Sequence, residues 1–559
     1  MVAEAHKSST GPIHALLLAH PSNTHTHRPT HTQSYTILLG LSLSLSLSLS
    51  HTHTHTHTHN CLLQASMSSN GTSKQQPHAL MFPYPAPGHI NPMMQLAKRL
   101  IDEGFFITFL NTDYNHQKMF GKQAPEVAKA PNLRFEHLPD GLPDGHNRFN
   151  EKPSGLTEFT AAILALPGPV AKLVRHIANS NDSPPLTCII SDAFCSWMQD
   201  VADQFQIPRV SLWTTPVHAN MAYMFQSTLQ SLGLIPVKDQ SKLQEMVDCI
   251  PGVVPMKLED YISFFLVDSS ADFQFQWHLR LCMTRPLEAA WNLGNNFEEL
   301  EQESCAAFRK EVPDFVSIGP LLPTDVLRGN PHNAASTGII SLWPEDTTCN
   351  EWLSQHKKAS VIYISFGSIA NMSEEEMGEL IQGLEESGAP FLWAIRPDQS
   401  GAALLRLRER LDSEAVQGKL SRQALLVAWA PQLAVLTHPS VGLFLSHCGW
   451  NSVIESVAGG VPILAKPGGF AEQRMNAHYI ADVWKIGRRL PNGARASDIK
   501  LLISSLLGDF GEAASMQGHL SALRQIALDA VSPGGSSNSN LKKFIDDMYK
   551  RAASLSRPG

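Results

Sequence analysis

From residue 78 onward one local pattern keeps returning: a short apolar run, a turn, an amphipathic stretch of helical period, then another apolar run. No other feature limits the fold as much. Strands joined through a helix return parallel to one another, and parallel strands need helices on both faces of their sheet. The first copy is the clearest. Residues 79–83 form a short apolar strand, and the turn Pro83-Tyr84-Pro85-Ala86-Pro87-Gly88-His89 follows. A helix is expected next, with Asn91 as its N-cap and Pro92 at its first position. Met93, Leu96, Ala97, Leu100 and Ile101 repeat at helical spacing, Gly104 is a suitable stop, and 105–110 is the next strand.

The same grammar predicts strands at 186–191 and 209–213 with a helix over 194–205 between them, and a helical, loopy stretch at 216–270. A segment rich in Gly, Pro, Asn and Ser follows at about 319–337 and reads as a linker. A second alternation then begins, with strands at 360–366, 391–395, 424–427, 443–446 and 461–464. Ser373 with Glu376 makes a capping box that opens a helix ending near Gly388. A chain of 559 residues is too long for one core and suits two domains of roughly 200 residues each. The expected fold is α/β: two doubly wound domains facing each other, with ligands bound beyond the carboxyl ends of the strands.

The region before this pattern is different. Leu and Ser alternate over 41–50, and His and Thr alternate over 51–59. No packed core needs such a repeat, whereas a dinucleotide repeat read in triplets generates it. We expect residues 1–66 to be translated leader sequence and Met67 to be the initiator; native peptides upstream of Met67 would refute this. A His-rich tract can also bind metal. As a signal core, 37–50 carries too much serine and lacks a cleavage site, and it is too short and polar to span a bilayer. The expected boundaries are a low-complexity leader at 1–76, a first domain at 77–320, a linker at 321–342, a second domain at 343–535 and a final helix at 536–559.

Chemistry concentrates in one block: Trp429-Ala430-Pro431-Gln432, His438, Gly442, Ser446-His447-Cys448-Gly449-Trp450-Asn451-Ser452, Glu455, Gly460-Val461-Pro462 and Glu472-Gln473. Its pieces sit at strand ends and helix starts. Trp429 offers a flat face suited to stack on a uracil ring; alone, it would be an ordinary core tryptophan. Glu455, one turn into a helix, could accept both hydroxyls of a ribose; alone, it would be an unremarkable helix glutamate. His447, Asn451 and Ser452 surround a helix N-terminus, where backbone N–H groups and the dipole favour an anion. Taken singly, Asn451 and Ser452 are merely good caps. Gly449 permits close backbone approach.

This block resembles the nucleotide-sugar signature of plant secondary-product glycosyltransferases, the family 1 UDP-glycosyltransferases. The likeness runs from about residue 77 to the C-terminus, with 83–92 and Ile364-Ser365-Phe366-Gly367-Ser368 as further landmarks. The resemblance implies the GT-B arrangement of two facing Rossmann-like domains, the first binding the acceptor and the second the UDP-sugar, with the last helix crossing back to the first. It implies UDP contacts from Ser368, Trp429, Ala430, Gln432, His447, Asn451, Ser452 and Glu455. Sugar contacts fall to Trp450, Glu472 and Gln473; a terminal Gln goes with glucose in this family, a His more often with galactose. Here the stretch 466–473 is one residue longer than usual, Lys466 stands where an aromatic is common, and Glu472 replaces the more frequent Asp. The extra glycine either slides the sugar contacts or is absorbed in the loop.

On the acceptor side an alcohol needs a base, and histidine is the side chain suited to that near neutral pH. His89 lies beside Gly88 at the carboxyl edge of a sheet, and Asp192 ends another strand. An Asp on the second imidazole nitrogen would fix the tautomer. The family's base and its partner match His89 and Asp192; without the resemblance His89 would be a loop histidine. The implied reaction is a single inverting displacement that moves a hexose, glucose first, from UDP-glucose or a related donor. The acceptor is a small lipophilic hydroxyl compound such as a flavonoid, phenylpropanoid or terpenoid. No cofactor and no metal is implied, since no DxD-type carboxylate pair lies near the nucleotide block.

Other classes fit less well. The first turn lacks the GxGxxG of dinucleotide enzymes, and no P-loop is present. A formal charge of −8 argues against a nucleic-acid partner. Eight scattered cysteines with no CxxC pair suit reduced thiols in the cytosol. No run past the leader reads as long and apolar enough for stable membrane insertion, so the expected location is cytoplasmic. A catalytically inactive UDP-sugar-binding relative stays open, although the presence of both His89 and Asp192 argues against it. The bulky residues Phe149, Trp213, Tyr223 and Phe225 hint at a flat acceptor, or are simply core.

Overall fold

A computed structural model describes residues 75–121, 131–146, 148, 153–268, 285–329, 345–367, 372–396, 401–414, 422–507 and 511–555. Ser368, Phe149, the two alternating tracts and most of the expected linker lie outside them.

A seven-stranded sheet runs edge to edge as Leu133–Leu138, Phe106–Thr112, His78–Phe82, Leu186–Asp192, Arg209–Trp213, Trp291–Gly294 and Phe315–Ser317. A six-stranded sheet runs as Ala424–Val427, Phe391–Ala394, Val361–Ser365, Val441–Ser446, Ile463–Ala465 and Gly487–Arg489. Every ladder within the two sheets is parallel. The inner strands are buried along their whole length, as sheets covered on both faces require. In each sheet the first strand lies between the second and the fourth, so the strand order reverses there. A crevice opens at such a switch point beyond the carboxyl ends. In the first sheet it opens after Phe82 and Asp192; in the second it opens after Ser365 and Ser446.

Helix α1 spans Pro87–Asp102 and starts earlier than its sequence pattern predicts. Pro87, not Pro92, takes the opening turn, where a missing N–H and a fixed φ cost nothing. Ala86 is the N-cap, Asn91 is inside the helix, and Pro92 is an interior proline. His89 therefore stands in the first turn of a helix rather than in a loop. The expected capping box is present: Ser373 Oγ accepts from the Glu376 N–H, Glu376 answers on the Ser373 N–H, and Gly388 ends that helix with φ 69°. Helix α2 spans Trp450–Gly459 and follows the Val441–Ser446 strand.

The last helix, α3 (Ser536–Ser554), packs on the first sheet. Leu541, Phe544, Ile545 and Met548 share a core with Ile90, Leu96 and Leu100 of α1. Trp291 Nε1 donates to Asp547 at 3.0 Å, and the Tyr549 hydroxyl donates to the Glu103 carbonyl at 2.7 Å. One described stretch, Glu158–Asn179, is long and apolar enough by composition to cross a membrane, which the sequence reading overlooked. It is interrupted before Pro167, and its Phe159, Ile163, Leu166, Val170, Val174 and Ile177 are buried in a core of the first half. Cys188, Cys195, Cys249, Cys305, Cys349 and Cys448 are free thiols.

Candidate active site

The two switch points face one cleft of about 340 Å³, within the range of small-ligand sites. His89 lines it, and so do Trp429, Ala430, Gln432, His447, Trp450, Asn451, Ser452, Glu455, Glu472 and Gln473. Ten of these eleven predicted residues come from the 429–473 block and His89 from the other half of the sequence, and the fold brings all of them to the same cleft. Asp192 stands behind His89.

His89 Nδ1 donates to Asp192 Oδ2 at 2.8 Å. Asp192 is fully buried, while the His89 side chain keeps 19% exposure. The second carboxylate oxygen, Oδ1, accepts the Phe194 N–H at 2.9 Å, so Asp192 is held from two sides. Thr214, which the sequence reading did not single out, places its hydroxyl 2.8 Å from the same His89 Nδ1 and donates to Asp192 Oδ2 at 3.4 Å. Tyr84 and Phe194 pack against the ring at centroid distances of 5.1 and 5.3 Å. With Nδ1 engaged, Nε2 is the nitrogen left for the cleft, and in the neutral ring it carries the lone pair.

On the opposite wall the first turn of α2 has Gly449 as N-cap and no capping side chain. Its first backbone N–H groups thus lack intrahelical acceptors, which suits an anion. His447 is wedged between two glycines: a Cβ on Gly367 or on Gly449 would lie 2.6 Å from its Nε2. Burial lowers the ring's pKa to about 4, and its Nδ1 donates to the Ser365 carbonyl at 3.4 Å. Gln432 orders the next group along. Its amide nitrogen donates to Ser452 Oγ at 2.9 Å and to Glu455 Oε2 at 2.6 Å, and its oxygen accepts from the Tyr363 hydroxyl at 3.2 Å. Burial raises the Glu455 carboxyl to about 7. Glu345 also lines this end, and burial raises its carboxyl too. Beside it, the Asp346 N–H donates to the Trp429 carbonyl at 2.9 Å.

The sugar-side residues divide. Gln473 Oε1 accepts from the Gly468 N–H at 2.9 Å, which ties the longer loop to the residue it delivers. Gly469 and Ala471 take positive φ angles of 76° and 50°, and Glu472 and Gln473 both reach the cleft. Lys466 turns aside to pair with Glu376 at 2.6 Å. Trp450 is buried, and its indole N–H donates to the Asn295 carbonyl at 2.8 Å. That nitrogen is the side chain's only donor, so any sugar contact from Trp450 falls to its backbone N–H. Tyr84, Phe159, Phe194, Tyr223, Phe264 and Phe470 give the cleft an aromatic lining. Of the bulky residues singled out from sequence, Tyr223 lines the cleft, while Trp213 is buried in the core and donates to Asn292.

Two doubly wound parallel sheets whose switch points face one cleft are the GT-B class of fold. Residues 332–504 match the family model described as UDP-glucoronosyl and UDP-glucosyl transferase. The chain is 36% identical over 483 residues to linamarin synthase 1 of Manihot esculenta, covering 85% of this chain and 97% of that protein. It is 37% identical over 484 residues to the (R)-mandelonitrile beta-glucosyltransferase of Prunus dulcis, with the same coverage of 85% and 97%. The solved structure of UGT71G1 of Medicago truncatula complexed with UDP-glucose superposes with a TM-score of 0.68 at 24% identity, covering 85% of this chain and 98% of that one. The chain belongs to the UDP-glycosyltransferase family and is a glycosyl-transferring enzyme.

Proposed function

We propose that this enzyme transfers glucose from UDP-glucose to a hydroxyl of a small lipophilic metabolite, with inversion and without a metal ion. The observation that carries this reading is the 2.8 Å His89–Asp192 pair, with His89 lining the same cleft as the open N-terminus of α2. The uracil stacks on Trp429, and the ribose hydroxyls donate to Glu455. The diphosphate takes the backbone N–H groups of α2 with His447, Asn451 and Ser452, with Ser368 as the further phosphate contact that the family likeness implies. Glu472 and Gln473 hold sugar hydroxyls.

In the displacement the acceptor oxygen bonds to the anomeric carbon as the bond from that carbon to the β-phosphate oxygen breaks. The acceptor proton passes to His89 Nε2, Asp192 stabilises the imidazolium, and UDP departs onto the helix terminus. One displacement inverts the anomeric centre. The helix-terminal donors supply the stabilisation of the leaving group that a metal provides elsewhere. The acceptor end is aromatic, and the relatives named for linamarin and mandelonitrile are consistent with small, weakly polar alcohols. A cytoplasmic location fits the free thiols and the Glu158–Asn179 stretch, whose apolar face, Phe159, Ile163, Leu166, Val170, Val174 and Ile177, packs into a core.

The test is UDP release with UDP-glucose and a panel of hydroxynitriles, phenylpropanoids, flavonoids and terpenoids. We expect turnover that survives EDTA and a product of β configuration by NMR. His89→Ala should lower kcat by roughly 10²–10⁴-fold while UDP binding stays near normal. UDP binding without turnover on any acceptor would favour an inactive binder, and an α product would refute inversion.

A further inference from the structure

Pro92 stands in the interior of α1. Proline has no N–H, so the carbonyl four residues earlier, that of Gly88, lacks its regular i→i−4 hydrogen bond. Its bond comes from the other half of the molecule: Asn451 Nδ2 donates to the Gly88 carbonyl at 2.6 Å. A Cβ on Gly88 would sit 3.9 Å from that same nitrogen, so the amide lies directly over this turn. Gly88 immediately precedes His89, and Asn451 belongs to the first turn of α2. A carboxamide nitrogen carries two hydrogens. One goes to Gly88 and the other remains for an oxygen in the cleft.

We propose that the Pro92–Gly88–Asn451 contact is a positioning clamp that sets the base against the donor. The clamp rests on the reading of the cleft as the site of UDP-sugar and acceptor. Asn451 touches the diphosphate with one N–H and holds the His89 turn with the other, so a bound donor fixes the separation of the anomeric carbon and His89 Nε2. Misplacement of reacting groups by about 1 Å can cost a hundredfold in rate, so a tie this short is worth having. Pro92 contributes by what it lacks. An N–H at position 92 would compete for the Gly88 carbonyl and draw it back into α1. Pro92 is thus a positioning residue that touches neither substrate.

The experiment compares wild type, Pro92→Ala, Asn451→Ala and the double variant. Alanine is the better helix former, so Pro92→Ala is expected to fold with a Tm no lower than wild type. It should bind UDP within about twofold of wild type and keep its donor KM, yet lose roughly five- to tenfold in kcat. The double variant should be no slower than Asn451→Ala alone, because both changes break the same contact. Wild-type kcat in Pro92→Ala, or losses that multiply in the double variant, would overturn the clamp and leave the cleft assignment standing. Absence of UDP binding by the wild type would overturn both.

Discussion

His218 and Asn476 meet across the two halves of the molecule: the imidazole Nε2 donates to the amide oxygen at 3.0 Å. The Asn476 nitrogen in turn donates to the Cys448 carbonyl at 2.8 Å, and the far side of the ring, Nδ1, faces Glu301 at 2.7 Å. His218 and Asn476 are fully buried, Glu301 nearly so, and Tyr479 stacks on the imidazole at 3.8 Å. Cys448 holds a φ of 67°, unusual for a residue with a side chain, directly between His447 and Gly449. This chain of bonds supports the turn at which the diphosphate is proposed to bind. Asn476→Ala leaves an imidazole N–H and a carbonyl unpaired in the interior. We expect a loss of about 3 kcal/mol in urea unfolding at unchanged m. UDP affinity should fall roughly tenfold as the turn relaxes. Unchanged affinity in a destabilised variant would confine the network to folding.

If Glu455 accepts the ribose hydroxyls as proposed, UDP binding has a pH dependence with a definite sign. Burial raises its carboxyl to about 7, so the unliganded fold loses stability as pH climbs from the ordinary carboxylate range through about 7. Ribose hydroxyls that donate to the carboxylate favour its charged form and pull the pKa down. UDP binding near pH 6.5 should therefore release protons from this group, and affinity should rise through about pH 7 before flattening. Calorimetry in two buffers of different ionisation enthalpy measures the release. Wild type and Glu455→Gln should differ by that release; identical behaviour would remove Glu455 from the ribose.

Gly449 has an ordinary φ of −62°, so alanine there meets no backbone penalty. Its Cβ nevertheless lands 2.6 Å from His447 Nε2. Gly449→Ala should displace the imidazole and weaken UDP binding by roughly tenfold or more with little change in Tm. Gly367→Ala adds the strain of a φ of 67° to the same collision and should lower both.

Asp192→Asn tests the orientation of the base. The Phe194 N–H and the Thr214 hydroxyl can still hold the side chain, so the fold should survive. The amide no longer stabilises an imidazolium, and kcat should drop on the order of 10²–10⁴-fold with donor KM nearly unchanged. A drop confined to KM would show that Asp192 shapes the pocket instead.

Much of this site was legible in the chain because its parts are local. The Ser373–Glu376 box and the stop at Gly388 are read within one helix, and both are present as expected. The strand of residues 133–138 escaped notice because it is an edge strand with a half-exposed, charged sequence. Phe315–Ser317 and Gly487–Arg489 are too short to show any period. The start of α1 differs from expectation because Asn91-Pro92 imitates a cap, whereas Pro92 is interior and the Gly88 carbonyl is bonded by Asn451. Sequence gives no sign that the Trp450 indole N–H is taken by the Asn295 carbonyl, which leaves the backbone N–H for the expected sugar contact. His218, Thr214 and Asn476 carried no local signal at all. Their partners lie on distant strands and helices, and pairing of that kind is written in the topology rather than in any window of sequence.

The course of α3 carries a practical consequence for engineering. The polypeptide builds its first half, then its second, and finally returns to complete the first. Exchanging halves between related enzymes at a single crossover would strand Leu541, Phe544 and Met548 on a foreign surface and leave Trp291 and Glu103 without their partners. A chimera built to graft a new acceptor preference should therefore take its closing segment from the same parent as its opening one.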